Sequence, residues 1–400
     1  MSLTLLFDLD DTLLDTNIES FVPAYFQALS EHLAPRVSSD VMLPALISAT
    51  KLMMDSEDPS RTLQCVFERD FYDRIGIPKD DLAGLLQDFY DNIFPGIESR
   101  TSRRPDAVPL IDWASSQGYH IAIATDPLFP RKATQHRLRW AGFDPHQFDL
   151  VSSFENFHFS KTHSAYYAEM LGQLGWHDGP VLMVGDDAGR DILPAHRLGL
   201  KTYFVDGDSA SSPGIEAGRG NLADLRPWLE STDPLALEPS FDSPEAILAI
   251  LQSTPAALRS LTRSMTGGQW RLEPSQDAWA MNEIICHLRD TEREIHHVQL
   301  ELMLEREGAF IPRPDTSVWA SERDYLHVNG TSALHEFTMA RIETINLLKG
   351  MDDAMWSRKA RHAIFGPTDF LEACNFMADH DRMHVQQAWK TLKNLEGGRV

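Results

Sequence analysis

The segment Leu3–Thr12 constrains the fold more than any other stretch, because an apolar run ends there in three carboxylates and a hydroxyl. Residues 3–7 lack the polar alternation of a half-exposed strand, so they predict a parallel strand that is buried on both faces. Ligands of open α/β sheets bind at the carboxyl ends of such strands. Taken alone, the acidic residues are also typical of a turn that caps a helix. The rest of the chain decides between these two interpretations.

Composition limits the class of protein. A chain of 400 residues predicts two or three domains. The net charge of −23 disfavours binding to nucleic acid, whose phosphates it would repel. No apolar run approaches the length of about 18 residues that a membrane helix needs, and the N-terminus lacks the pattern of a signal peptide. We therefore expect a cytoplasmic protein with no membrane partner. Three scattered cysteines indicate neither a disulfide framework nor a thiolate zinc site.

Strand and helix signals alternate after residue 104, which predicts a Rossmann-like, doubly wound parallel sheet of the α/β class. The predicted strands after the first are Tyr119–Ala124, Leu150–Ser152, Val181–Val184 and Thr202–Val205. Residues 16–104 show only helical periodicity and predict an inserted helical cap. Its predicted helices are Ile18–Leu33, Asp40–Met54, Thr62–Ile75 and Lys79–Ile93. The first domain is therefore expected to span residues 1–235, with its core at 1–15 and 105–235. Residues 10–17 are expected to form a turn.

Three further polar clusters follow the predicted strands. Thr125 and Asp126 end one strand, Lys161 lies in a loop, and Asp186 and Asp191 follow another strand. An acidic pocket would repel a phosphate ester unless a cation bridged them, and Mg²⁺ prefers carboxylate oxygen. One carboxylate can then act as nucleophile and a second as proton donor to the leaving group. The clusters together therefore favour phosphoryl transfer.

In their order along the chain, these motifs resemble the haloacid dehalogenase superfamily with a helical cap. The resemblance implies that Asp8 is the nucleophile that becomes an aspartyl phosphate, and that Asp10 is the acid/base. Protonation of an alkoxide needs a second acid, whereas expulsion of a halide does not, so Asp10 favours a phosphatase of a small phosphorylated metabolite. The alternative is a dehalogenase-type hydrolase of a non-phosphate substrate.

The resemblance also assigns the binding residues. It implies that Thr125 and Lys161 bind the phosphate, beside Asp126, where many relatives carry Asn. An extra carboxylate there would weaken anion binding unless it pointed away. The Mg²⁺ site that the resemblance implies consists of Asp8, the Asp10 carbonyl, Asp186 and, as a further partner, Asp191.

The prolines Pro234 and Pro239 preclude regular helix and strand pairing in the stretch Ser231–Ser243, which predicts a linker, placed at residues 236–243. Residues 244–400 then show almost only helical periodicity, which predicts an all-α four-helix bundle. The predicted helices are Pro244–Met265, Ala278–Arg306, Ser332–Leu348 and Thr368–Leu395.

Three histidines of the bundle are expected to point inward. His287 lies in an apolar stripe, and His380 and His384 are four residues apart on one helix face. The members of that stripe are Ile284, Leu288, Ile295, Val298 and Leu302. Three imidazoles could hold one divalent metal with a position open for water. The histidines expected at the surface are His296, His297 and His335.

The segments around His287 and around His380 and His384 resemble the DinB-like, YfiT-type metal-binding bundles. The resemblance implies a three-histidine site for a divalent transition metal such as Zn²⁺, Ni²⁺ or Fe²⁺. The alternative is a non-catalytic binding or dimerisation module, so a homodimer is a further candidate partnership.

Overall fold

The computed structural model describes residues 2–205, 213–275 and 278–397. Two compact units are present: residues 1–166 with 178–239, and residues 167–177 with 240–400. The finer boundaries of core, cap and linker stay predictions. Among the described residues, none of the helices combines the length and hydropathy that crossing a lipid bilayer requires.

The first unit is built around a parallel sheet. Its strands, with a separate short pair, are β1 Thr4–Phe7, β2 Leu14–Thr16, β3 Thr101–Arg103, β4 His120–Ile123, β5 Leu150–Val151, β6 Val181–Gly185, β7 Lys201–Val205 and β8 Gly218–Gly220. Within the described residues, six of these form one sheet in the order β5-β4-β1-β6-β7-β8, with parallel pairing throughout. The predicted parallel sheet is confirmed, and β8 is an additional strand at its edge.

Strand β1 lies in the middle of the sheet, and all four of its residues are buried. Phe7 pairs in register with Ile123 on β4 and with Val184 on β6. The chain therefore leaves three adjacent strands at one edge, and the residues that follow them meet there. This is why an uninterrupted apolar strand next to acidic residues indicates a site.

The helices of the cap agree closely with the periodicity. The helices in the part of the chain up to residue 239 are α1 Ile18–Leu33, α2 Ser39–Met54, α3 Leu63–Ile75, α4 Lys79–Asp88, α5 Ala107–Ser116, α6 Arg131–Ala141, α7 Ser164–Gln173, α8 Leu193–Leu198 and α9 Leu222–Ser231. Local chemistry sets their ends: the Asn17 side chain caps α1, the Thr62 side chain caps α3, and Gly76 ends α3 at φ 65°. The last predicted cap helix continues from α4 as a π turn over Phe89–Ile93.

The predicted turn at residues 10–17 is wrong in part, because it contains a strand. β2 pairs antiparallel with β3, with Leu14 opposite Arg103. The two chain segments that lead into and out of the cap are thus hydrogen-bonded to each other. A strand of three residues is too short to produce a recognisable pattern in the sequence.

The second unit is a helical bundle, as predicted. Its elements among the described residues are α10 Pro244–Thr262, α11 Met281–Thr291, α12 His297–Glu305, β9 Ala309–Ile311, α13 Trp319–Glu322, α14 Gly330–Leu348, α15 Asp353–Trp356, β10 Lys359–His362, β11 Gly366–Asp369 and α16 Phe370–Leu395. The small sheet β11-β10-β9 was not expected from the periodicity. Thr368, predicted as the first residue of the last helix, belongs to β11, and Asp369 caps α16.

The apolar stripe predicted for the second long helix is correct only in its first half. A π turn over Glu292–His296 separates α11 from α12. Its extra residue shifts by one position which residues after the turn are buried. Val298 is 41% exposed, whereas Leu300 and Met303 are buried in its place. The surface position predicted for His296 is therefore wrong, because this residue is buried beside Glu292.

A buried arginine joins three helical segments of the bundle. The guanidinium of Arg341 on α14 donates to Glu292 Oε1 at 2.9 Å and to Glu292 Oε2 at 2.8 Å. It also donates to Asp381 on α16 and to the Leu251 carbonyl on α10. Burial alone would raise the pKa of Glu292, but Arg341 and His296 outweigh it and hold that pKa well below its usual range. The positive charge of Arg341 thus offsets part of the charge of two fully buried carboxylates.

We predict that Arg341→Met strongly destabilises the bundle, because it leaves two buried carboxylates without their cation. Loss of one partner of a buried pair costs about 3–5 kcal/mol of unfolding free energy. Hydrogen exchange of peptides from α11 and α14, measured against urea concentration in the full chain, would report it. Lys393→Met is the matched control, since Lys393 pairs with Glu396 at the surface, where a pair is worth about 0–1 kcal/mol. Equal effects of the two substitutions would contradict this account.

Candidate functional site

Three carboxylates and one lysine meet at the carboxyl edge of the sheet. Asp8 follows β1, and Asp186 and Asp191 follow β6; one oxygen of each lies within 4.8 Å of the others. Lys161 donates from Nζ to Asp8 Oδ1 at 2.5 Å and also forms an ion pair with Asp191. Asp8, Lys161 and Asp191 are each at most 6% exposed. The structure therefore brings these four residues together in one buried cluster.

The cluster carries more negative charge than Lys161 balances. Burial and the proximity of Asp8 and Asp191 raise the pKa of Asp186 to about 8. Burial also raises the pKa of Asp191, against the opposing effect of Lys161. Burial and mutual repulsion of the carboxylates thus act in the same direction on both groups. A divalent cation held between their oxygens would remove that repulsion, so the donor set fits Mg²⁺, which prefers carboxylate ligands.

Backbone geometry allows the carboxylates to approach. A Cβ atom on Gly185 would lie 2.2 Å from Asp191 Oδ2, so only glycine permits this placement of the aspartate. Asp191 Oδ2 accepts from the Asp187 backbone N–H at 3.0 Å, and the Thr12 hydroxyl donates to Asp186 Oδ1 at 3.2 Å. Two of the three cation-binding candidates are thus oriented by hydrogen bonds from neighbouring turns.

The side chain of Asp10 lies apart from this cluster. It forms an ion pair with Arg137 of α6 and accepts a hydrogen bond from the Thr16 hydroxyl at 2.8 Å. Arg137 is 1% exposed, and burial lowers its pKa to about 10. Asp10 and Arg137 both line a cavity between the core and the cap. Asp10 is therefore placed on the side of the site that faces this cavity.

Thr125 and Asp126 follow strand β4, and Asp126 lines the cavity. Thr125 is buried, and its carbonyl accepts from the Ser152 hydroxyl at 2.6 Å and from the Tyr166 hydroxyl at 3.0 Å. Asp126 Oδ1 accepts from the Lys161 backbone N–H at 3.3 Å, and burial raises the Asp126 pKa. A raised pKa favours the neutral carboxyl, which repels an anion less than a carboxylate does.

The bundle holds a second candidate site. His287 of α11 and His380 and His384 of α16 each offer one nitrogen within 4.8 Å of the others. His287 Nε2 and His380 Nε2 are 3.1 Å apart. Metal–nitrogen bonds of about 2.0–2.1 Å in a tetrahedral site place neighbouring nitrogens roughly 3.3 Å apart. The histidines therefore fit a shared divalent metal.

The protonation of these imidazoles also fits metal binding. Burial and repulsion by His384 and His380 lower the pKa of His287 to about 3, and burial and repulsion by His380 lower that of His384 to about 4. Neutral imidazole is the form that ligates a metal. His384 Nδ1 lies 2.8 Å from Gln387 Oε1, an acceptor that places the proton on Nδ1 and leaves Nε2 free. The Trp279 ring stacks on His384 and limits its rotation.

Sequence reasoning missed several residues around both sites. Arg137 had a usable signal, because Ala133, Arg137 and Ala141 are spaced four residues apart and share the buried face of α6. Glu292 and Arg341 gave no such signal, since a charged residue on a helix is usually exposed.

Two protein families match separate parts of the chain. Residues 5–205 match the family described as haloacid dehalogenase-like hydrolase. Residues 250–388 match the DinB superfamily. None of the curated proteins matches the chain in sequence.

Solved structures similar to the chain fall into the same two groups. A HAD phosphatase from Thermococcus onnurineus is 20% identical over 57% of this chain and 98% of its own, with a TM-score of 0.40. The 2-haloacid dehalogenase from Pseudomonas syringae pv. Tomato DC3000 is 20% identical over 57% and 99%, with a TM-score of 0.43. YfiT from Bacillus subtilis, described as a probable metal-dependent hydrolase, is 19% identical over 40% and 90%, with a TM-score of 0.36.

The family match covers half of the chain, over the residues that carry the carboxylate cluster. The chain belongs to the haloacid dehalogenase-like hydrolases and carries a DinB-like domain after the hydrolase domain.

Proposed function

We propose that the first unit is a Mg²⁺-dependent phosphatase that acts on a small phosphorylated metabolite through an aspartyl phosphate on Asp8. The observation that carries the proposal is the division of labour between two carboxylates. Asp8 lies in the buried cluster with Asp186 and Asp191, whereas Asp10 faces the cavity. A nucleophile beside a cation site and an acid on the side of the leaving group are what ester hydrolysis requires.

In the first step, an Asp8 oxygen attacks phosphorus, the bond from phosphorus to the ester oxygen breaks, and Asp10 gives its proton to that oxygen. Arg137 stabilises the carboxylate that Asp10 then becomes. In the second step, Asp10 takes a proton from water while the water oxygen attacks phosphorus. Inorganic phosphate and the Asp8 carboxylate are released, and Asp10 is protonated again.

Asp8, the Asp10 carbonyl, Asp186 and Asp191 would hold Mg²⁺. When bound, Mg²⁺ supplies positive charge that lets a phosphate dianion approach the carboxylates. Lys161, which contacts Asp8, and Thr125 would bind the equatorial phosphate oxygens.

We expect Asp8→Asn to abolish Mg²⁺-dependent hydrolysis of phosphate esters, because an amide oxygen does not replace the carboxylate nucleophile. Asp10→Asn should lower kcat by about 10²–10⁴-fold, the usual contribution of general acid/base catalysis. Phosphate release measured with a panel of phosphorylated metabolites would test both. Asp15→Asn is the matched control, since Asp15 lies in the same segment but pairs with Arg104 at the surface.

Wild-type turnover by the Asp8 or Asp10 variant would contradict the assigned roles. The dehalogenase alternative instead predicts that halide is released from a 2-haloacid without added Mg²⁺. A halide-selective electrode would detect that reaction in the wild-type protein.

We also propose that the bundle binds one divalent transition metal, such as Zn²⁺, Ni²⁺ or Fe²⁺, through His287, His380 and His384. The proposal is supported by the mutual approach of the ligand nitrogens and by the lowered pKa values of all three imidazoles. Three protein ligands would leave a coordination position for water, as in catalytic rather than structural zinc sites.

The double variant His380→Ala/His384→Ala should lose the bundle metal, because one remaining imidazole cannot hold it. Phosphatase activity should persist, since the carboxylate cluster is made of other residues. Elemental analysis and phosphate release, measured on the same folded sample, would test both statements. The matched control is His327→Ala/His335→Ala, which removes two exposed histidines of the same unit. Undiminished metal in the first variant would refute the histidine site.

A further inference from the structure

The cavity beside Asp10 is lined mostly by apolar side chains, which the phosphatase chemistry itself does not require. Its volume is about 510 Å³, within the range of about 300–1,000 Å³ that is usual for small-molecule sites. The cap helices α1 to α4 form most of its wall. The rest consists of the segment 126–130 with Asp10, Tyr90, Arg137, Phe154, Glu155 and Arg190. Apolar side chains dominate the wall, among them Val22, Phe26, Leu46, Phe67, Phe71 and Leu86.

Several polar groups on the wall are already engaged with one another. The Tyr25 and Tyr90 hydroxyls lie 3.0 Å apart and hydrogen-bond to each other, so the two residues offer mainly their rings to the cavity. Glu68 pairs with Lys79 at 2.7 Å, and about half of the Lys79 side chain is exposed. An occupant with many hydroxyl or carboxylate groups would leave those groups unpaired against the aromatic wall, which is costly.

The position of the cavity identifies which part of a substrate it would receive. Asp10 and Arg137 line it, whereas Asp8 does not belong to its described wall. In the mechanism above, Asp10 protonates the leaving oxygen and Asp8 attacks phosphorus from the opposite side. The cavity therefore lies where the alcohol part of a phosphate ester would extend.

Resting on the proposed phosphatase function, we infer that the substrate is the phosphate monoester of a bulky, apolar alcohol. The hydrocarbon part of the substrate packs against the aromatic side chains of the cap, and the phosphate binds at Asp8, Thr125 and Lys161. Small polar metabolites such as glycerol phosphate or sugar phosphates fit this wall less well, because apolar and aromatic side chains make up most of it and several of its polar groups already pair with one another.

The test uses the full chain with Mg²⁺ and a series of alkylphosphonates, which bind without being hydrolysed. Each buried methylene should tighten binding about fourfold, so hexylphosphonate, with four more methylenes, should bind about 250-fold more tightly than ethylphosphonate. The analogue 6-hydroxyhexylphosphonate matches hexylphosphonate in length and should bind at least about tenfold more weakly, because its hydroxyl is buried. Titration calorimetry would give the three dissociation constants.

Paired variants show whether the preference arises in the cavity. Ala83 lies on α4 and lines the wall, so Ala83→Trp should fill part of the space and reduce the ratio of hexyl to ethyl affinity to below about tenfold. Gln87 is exposed on the same helix, outside the described wall, and Gln87→Trp should leave that ratio unchanged.

The outcomes separate this inference from the function on which it rests. A ratio near one in the wild-type protein, or equal ratios in the two tryptophan variants, would overturn the apolar substrate class even if ethyl phosphate were hydrolysed. A strong preference for hexylphosphonate without hydrolysis of hexyl phosphate would instead overturn the phosphatase function. Hydrolysis of hexyl phosphate with a higher kcat/KM than 6-hydroxyhexyl phosphate would support both, since the two leaving groups have similar intrinsic reactivity.

Discussion

Repulsion among three closely spaced carboxylates, two of them buried, is the constraint around which the first unit is arranged. Asp8, Asp186 and Asp191 share a space of a few ångströms, and Lys161 supplies only one positive charge. Removing charges from water is costly unless they are paired. The central strand, the glycine that ends β6 and the hydrogen bonds of the following turn all hold this unfavourable arrangement in place. The proposed divalent cation would offset the remaining charge imbalance.

The bundle also contains closely spaced carboxylates, which a side-chain cation contacts. Arg341 contacts both Glu292 and Asp381, and all three residues are fully buried. Its positive charge offsets part of the negative charge of the two carboxylates. His380 adjoins Asp381 in sequence and His296 bonds Glu292, so the network reaches the rings beside the histidine cluster. In both units, carboxylates paired with one cationic side chain thus lie in or next to a candidate metal site.

The sequence pattern predicted the central strand and the long helices. It did not predict short strands or contacts that depend on tertiary structure. Residues 4–7 could be assigned to a central strand because they lack the polar alternation of a half-exposed strand, and the position of Asp8 followed from that assignment. The pairing of β2 with β3 and the small sheet of the bundle involve strands of three or four residues, which have no measurable period. Asp186 could be placed at a strand end, but its contact with Thr12 depends on tertiary structure.

The π turn at Glu292–His296 has a consequence for how this helix tolerates changes in length. A π turn holds one residue more than an α-helical turn, so the segment behaves as an α-helix with a single inserted residue. Deletion of one residue from this turn would rejoin α11 and α12 as a continuous α-helix in which Leu300 and Met303 stay on the buried face. Without the wider turn, one extra residue would instead rotate every downstream side chain by about 100°. A one-residue gap opposite this turn in a related bundle would thus indicate a regular helix that buries the same side chains.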